Sequence, residues 1–258
     1  MTSLDSLYRP LRTLLLAGVA VVAISACASN RSSSIGASTD YSGLSAGQSQ
    51  QTLGELTARY KSNPKDKAVA IHYAAALRAV GQSKQAIAVL EISMSQYPGD
   101  VDISVAYAKA LTADGRFDQS LQVLDNVIRP EAPDWNALLV KGATLDQIGR
   151  NQEARVLYTQ AEVYAPGEAS IAANLGLSYA MTNELPAAEQ HLRRAVQMRG
   201  ANSRIRQNLA LIVGLQGRFE ESRAIYAAEL PPEQVESNMA YVRALLTQQN
   251  RWDVIAKS

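Results

Sequence analysis

From residue 53 onward, apolar residues recur at helical spacing, and the whole pattern repeats every 34 positions. Leu56, Leu90, Leu124, Tyr158, Leu192 and Tyr226 stand 34 apart and are large and apolar each time. Leu77, Leu111, Leu145, Tyr179 and Val213 form a second large column in the same register. Two further columns are small: Ala74, Ala108, Gly142, Gly176 and Ala210, and then Ala86, Ser120, Ala154, Ala188 and Ser222. Gly81, Gly115, Gly149 and Gly217 share the period, with Asn183 filling the gap in the series. Glycine and asparagine tolerate the left-handed backbone that ends a helix, so each marks a helix C-terminus and turn. Pro64, Pro98 and Pro166 fall near unit boundaries, where a helix has to stop. The pattern predicts two antiparallel helices per unit. Small columns let them approach, and large ones fill the space between them and the next unit.

These columns divide the chain into five units, 67–100, 101–134, 135–168, 169–202 and 203–236. A half-unit over 53–66 precedes them, one helix carrying Leu56 and Tyr60 and ending at Asn63-Pro64. Residues 237–258 read as a capping helix and a short second helix around Trp252. The units resemble the tetratricopeptide repeat (TPR), a helix–turn–helix of period 34. That resemblance implies an all-α superhelical solenoid, with more units than the three or so such a stack needs. The sequence departs from the family pattern in places. The first large position holds Ala70, Ser104, Leu138, Ala172 and Arg206. Lys141 stands where leucine is expected, its ammonium reaching outward along a packed stem. Glu229 replaces a small residue in the fifth unit, and Pro231-Pro232 end that unit's second helix early.

Ahead of the repeats lies a different pattern. Arg9 and Arg12 precede an apolar run from Leu14 to Ile24, a positive n-region and an h-region of secretory length. The run is short for a membrane span, which needs about 20 apolar residues. Ile24-Ser25-Ala26-Cys27 resembles the bacterial lipoprotein box. The resemblance implies a signal peptide over 1–26, removed before Cys27, and a diacylglycerol on the Cys27 thiol, often with a further acyl chain on the new amine. Two or more chains anchor stably without spanning the bilayer. Ala28 and Ser29 follow the cysteine instead of the aspartate associated with inner-membrane retention, which implies the periplasmic face of the outer membrane. A plain secretory signal cut within Ala26-Cys27-Ala28 is the other reading of these residues. Residues 27–52 then form a lipidated tether. From 28 to 52 there are eight serines and three glycines, with Arg31 and Asp40 the only charges. Such a composition buries too little to order itself, and about 25 flexible residues span ~25–30 Å. A packed extra element around Tyr41 and Leu44 is the alternative.

Composition narrows the function. With 25 Lys plus Arg against 24 Asp plus Glu, the 258-residue chain has no basic excess, and nucleic-acid binding lacks its electrostatic drive. A single cysteine allows neither an internal disulfide nor a cysteine metal cluster. The two histidines, His72 and His191, are far apart and outside any H-E-x-x-H spacing, and His191 is expected to face solvent. Neither a G-x-S-x-G elbow nor a phosphate-binding glycine loop occurs. No enzyme activity, cofactor or metal is expected.

Protein binding is the function such a solenoid offers, through the inner face lined by its first helices. By register, one column there holds Ile71, Val105, Leu139, Ala173 and Gln207. A second holds His72, Ala106, Val140, Asn174 and Asn208. A third holds Ala75, Lys109, Ala143, Leu177 and Leu211. This groove is apolar, with amide side chains toward its C-terminal half and Lys109 as a lone cation. It suits an apolar extended or helical partner segment more than an acidic tail, unless part of these columns packs inward.

The C-terminal stretch Ser237-Asn238-Met239-Ala240-Tyr241-Val242-Arg243-Ala244-Leu245-Leu246, followed by Gln249-Asn250-Arg251-Trp252, is similar to the end of the TadD family. These are TPR lipoproteins of tight-adherence (Tad, or Flp) pilus assembly. The resemblance implies a scaffold that supports the outer-membrane secretin or other Tad secretion components in the manner of a pilotin. Asn238, Tyr241, Arg243 and Trp252 are read first as residues that seal the last repeat. The alternative function is an envelope adaptor that recruits cell-wall enzymes or outer-membrane assembly factors.

Overall fold

The computed structural model describes Tyr41 and residues 46–257, with side chains placed for Tyr41 and from 47 to 247. The signal peptide, Cys27 and most of the expected tether lie outside the described residues. Those described form twelve helices and no strand.

α1 (Ala46–Ser62) comes first. Each of the five units then contributes a pair. These are α2 (Lys67–Ala79) with α3 (Ser83–Gln96), α4 (Val101–Ala113) with α5 (Phe117–Asp125), and α6 (Trp135–Gln147) with α7 (Asn151–Tyr164). α8 (Ala169–Met181) with α9 (Leu185–Ala195) and α10 (Ser203–Leu215) with α11 (Phe219–Ala227) follow, and α12 (Pro232–Lys257) closes the chain. The first helices begin at Lys67, Val101, Trp135, Ala169 and Ser203, always 34 residues apart.

A cap column fixes those starts. Asp66 accepts from Val69 N–H, Asp100 from Ile103 N–H, Asp134 from Asn136 and Ala137 N–H, and Asn202 from Ile205 N–H. Each side chain satisfies an otherwise orphaned donor of the first turn. Glu168 holds the same position but makes no such bond. Its carboxylate instead meets Arg199 Nη2 at 2.5 Å, and Ala169 N–H donates to Arg199 C=O. The turns follow the glycine series: φ is +77° at Gly81, +79° at Gly115 and Gly149, +82° at Gly217 and +62° at Asn183. Gly99, Gly167 and Gly200 form a second left-handed set at the unit ends, which the sequence reading did not single out.

The columns pack as the period requires. Leu56, Leu90, Leu124, Tyr158, Leu192 and Tyr226 are all buried, and each such side chain contributes about 1.5–3 kcal/mol relative to exposure. The small columns are the points of closest approach. A Cβ on Gly142 would lie 2.5 Å from the Tyr158 ring, and one on Gly176 would lie 2.9 Å from the Ala188 carbonyl oxygen. Where the second small column carries serine, the hydroxyl bonds across the helix pair: Ser120 to Ala108 C=O at 3.0 Å and Ser222 to Ala210 C=O at 2.7 Å.

Two expectations change. α1 begins at Ala46, ahead of the boundary at 53, so the last part of the assigned tether is helical. Leu56 on α1 is buried, and Tyr60 packs its ring 5.2 Å from that of Tyr73 on α2. That contact stabilises a helix whose serine- and glycine-rich start shows little propensity of its own. At the other end, 237–258 is not two helices beginning after the fifth unit. α12 is continuous and starts at Pro232, because Pro231-Pro232 ends one helix and proline suits the first turn of the next. The odd residues of the fifth unit answer each other: Arg206 forms a two-pronged ion pair with Glu229, one bond at 3.2 Å and one shorter.

Candidate protein-interaction surface

The columns expected to line an open groove are largely closed. Ile71, Val105, Leu139, Val140, Asn174, Leu177, Asn208 and Leu211 are all buried, and Lys109 is only 3% exposed. Of the expected binding residues, only His72 and Gln207, at the two ends of the stack, are partly open. The closure comes from packing between units. Val105 and Val140, from successive first helices, share one apolar cluster. Leu139 shares another with Ile171 and Leu175 of the next unit, and Leu211 packs with Met239 and Val242 of α12. Lys109 sends its ammonium 3.4 Å to Asn136 Oδ1 on the following first helix. Asn174 turns back on its own helix, donating to Ser170 C=O at 2.8 Å, and Gln207 donates to Ser203 Oγ at 3.0 Å. The second column therefore faces the preceding first helix and the third faces the following one.

Polar clips join the same neighbours. Thr112 Oγ1 lies 2.8 Å from both Ser120 Oγ and Thr144 Oγ1, linking units two and three. Between units three and four, Asp146 accepts from Asn151 Nδ2 at 2.7 Å, Tyr158 Oη at 2.7 Å and Ser178 Oγ at 2.8 Å. Burial still raises its pKa above the ordinary carboxylate range, against these bonds and the nearby Arg155 charge. Arg155 donates to Ser178 C=O at 3.0 Å and to Glu184 at 2.9 Å, with its guanidinium 3.9 Å from the centre of the Tyr179 ring. His191, expected to face solvent, stacks on that ring at 5.2 Å.

The surface that remains open has features the groove reading missed. On the outer side of α7, Val156 and Val163 are 68% and 73% exposed, two turns apart, with Tyr164 beside them at 46%. Valines seven apart on a second helix were the available signal. In the C-terminal stretch, Val235, Met239 and Val242 do the sealing. Tyr241 stays 45% exposed, and Arg243 lies 5.8 Å from the Phe219 ring centre. The side chain of Trp252 lies outside the described residues. Among the described residues no group of three or more His, Cys, Asp or Glu could hold a metal ion, and no helix is long and apolar enough to cross a membrane.

Stacked helix–turn–helix units on a 34-residue period, pinned by left-handed turns and inter-unit packing, define an all-α TPR solenoid. Residues 77–141 and 139–204 each match a tetratricopeptide repeat family. Solved structures agree on the fold. A thermophilic TPR protein from Thermus thermophilus is 19% identical with a TM-score of 0.58, covering 76% of this chain and 99% of that one. A TPR protein from Parabacteroides merdae is 11% identical with a TM-score of 0.64, covering 76% and 78%. PilW is 17% identical with a TM-score of 0.58, covering 76% and 91%. No curated protein sequence matches significantly. TPR units mediate binding of protein partners, and the chain is accordingly a protein–protein interaction scaffold.

Proposed function

We propose that this scaffold is a non-enzymatic lipoprotein of Tad/Flp pilus assembly, anchored through Cys27 at the periplasmic face of the outer membrane. In this reading it supports the secretin or another Tad secretion component, as a pilotin does. The observation that carries the reading is the combination of an Ile24-Ser25-Ala26-Cys27 box with a TPR solenoid ending in the Ser237–Leu246 stretch. PilW, whose fold is similar, is described as a widely conserved type IV pilus biogenesis factor, which supports a role of the same kind. The anchor would come from acyl chains alone, because Asp5, Arg9 and Arg12 leave with the signal peptide and the remaining chain is formally neutral.

Two genetic experiments test the reading. Cys27→Ala is expected to release the protein from the membrane fraction and to abolish surface pili. Normal pili in a deletion strain would remove the pilus role. Capture from detergent-solubilised membranes is expected to bring down the secretin, whereas recovery of peptidoglycan enzymes alone would favour the envelope-adaptor function.

A further inference from the structure

α12 occupies the place of a sixth first helix. Met239 stands 34 after Ile205 and Val242 stands 34 after Asn208. Both are fully buried, packed with Ala210, Leu211 and Tyr226 of the fifth unit. The far side of the helix is different. Ala240, Tyr241 and Ala244 continue the columns of Ala70, Ile71 and Ala74. Through units one to four those three columns are buried at every position, whereas on α12 all three residues are exposed, Tyr241 at 45%. Inside a unit the second helix of the pair covers the small column, as Tyr158 covers Gly142. Among the described residues no such helix covers α12. It stays helical through Arg251, 34 after Gly217, where a unit would turn back.

α1 is the converse, a second helix with no first helix paired to it among the described residues. Leu53 and Tyr60 pack it on the first unit. Thr52 stands 34 before Ala86, in a column whose members Ala86, Ser120, Ala154, Ala188 and Ser222 are each 0% exposed, yet Thr52 stays partly open. Within a unit this column meets the small column of the first helix, Ser120 bonding Ala108 C=O and Ser222 bonding Ala210 C=O. Thr52 is the counterpart of those serines, and Ala244 is the counterpart of those alanines. The charges agree as well. Paired helices run antiparallel, which sets the acidic start of α12, Glu233 and Glu236, beside the basic end of α1, Arg59 and Lys61. All four are exposed, Glu236 at 61% even while it pairs with Arg223.

We propose that copies of this chain stack head to tail, with α1 of the following copy serving as the second helix of the half-unit that α12 begins. The contact continues the interface that already joins the two helices of every unit. It is heterologous, so each assembly keeps one open face at either end and can grow further. Tyr241 then comes to His72 of the following copy, as Val105 meets Val140 between units. In the single chain Tyr41 holds that imidazole, with its hydroxyl 2.9 Å from Nδ1, and it gives way to the incoming ring. The inference depends neither on lipidation of Cys27 nor on a pilus role, since both faces are built from repeat positions.

Sedimentation velocity of the purified chain, carried up to about 100 μM, tests it. The average mass is expected to rise with concentration. Ala244→Arg spoils only the α12 face, and Thr52→Arg spoils only the α1 face. Each variant alone is expected to associate about tenfold more weakly or worse and to sediment as a monomer. Mixed in equal amounts, each supplies the face the other lacks, and the mixture is expected to form a dimer and nothing larger. A native chain that stays monomeric throughout would overturn the proposal and leave the two faces to a different protein. Association that survives Thr52→Arg would also overturn it, because α12 would then be pairing with a second α12 or another surface would be in use. Ala244 is exposed, so its variant is expected to keep the parent's thermal midpoint by circular dichroism. If Thr52→Arg melts early, Arg59→Glu replaces it, setting a like charge against Glu233 and Glu236.

Discussion

At the scale of single residues, what was legible is what the backbone decides locally. The turn series could be read because a left-handed φ selects glycine whatever surrounds it. Asn183, at +62°, is the one non-glycine among the described residues with positive φ. Asn183→Gly is expected to raise stability by about 0.5–1 kcal/mol, read from the urea midpoint. The cap column Asp66, Asp100, Asp134 and Asn202 is equally local, yet it is absent from an apolar-column reading. Asp134→Ala is expected to cost about 1 kcal/mol in the same measurement, since two first-turn N–H groups lose their acceptor. The small columns call for a size as well as a class. Gly176→Ala is expected to destabilise by about 1–3 kcal/mol, because the added methyl meets a backbone oxygen that cannot swing aside.

Between elements, side chains that break the repeat pattern turn out to be matched across helices. Arg206 and Glu229 look like two separate defects in sequence, 23 residues apart, and only the pairing of α10 with the end of the fifth unit joins them. Asp146 is the sharper case, a buried carboxylate serving as acceptor for three side chains from two units. Its pKa in the folded state is raised, so the folded chain holds this proton more tightly than the unfolded chain does. The stability it contributes is full below the ordinary carboxylate range and is lost as pH rises through the raised value. Asp146→Asn keeps an acceptor and removes the charge. Relative to the parent, this variant is expected to gain stability on going from acid to neutral pH. Equal stability differences at both pH values, in paired urea titrations, would contradict that sign. Asp146→Ala, which strands Tyr158 and Ser178, is expected to destabilise at both.

For the whole molecule, a solenoid's stability is a sum over units and their neighbour interfaces, so its ends decide where it frays. The C-terminal end is closed by α12, through Val235, Met239 and Val242 against Leu211 and Tyr226. Val242→Asp places a charge in that fully buried contact. Hydrogen exchange is expected to rise across α10, α11 and α12 while α4 and α5 keep their protection. Uniform loss of protection along the chain would mean that the units unfold together. Val156 and Val163 on α7 stay exposed, whereas most of the inner columns are buried.

The sequence by itself determined the 34-residue register, the turn series from Gly81 to Gly217 and the large and small columns that pack within each unit, because each follows from spacing and backbone preference along one helix or helix pair. It also carries the Cys27 box, which is read as chemistry and not as fold. Only the tertiary structure decided what the inner columns do. A residue's phase around its helix says which way it points, but not how near the next helix stands. Successive first helices stand close enough for Val105 to share an apolar cluster with Val140 and for Lys109 to reach Asn136, and that turned an expected groove into an interface between units.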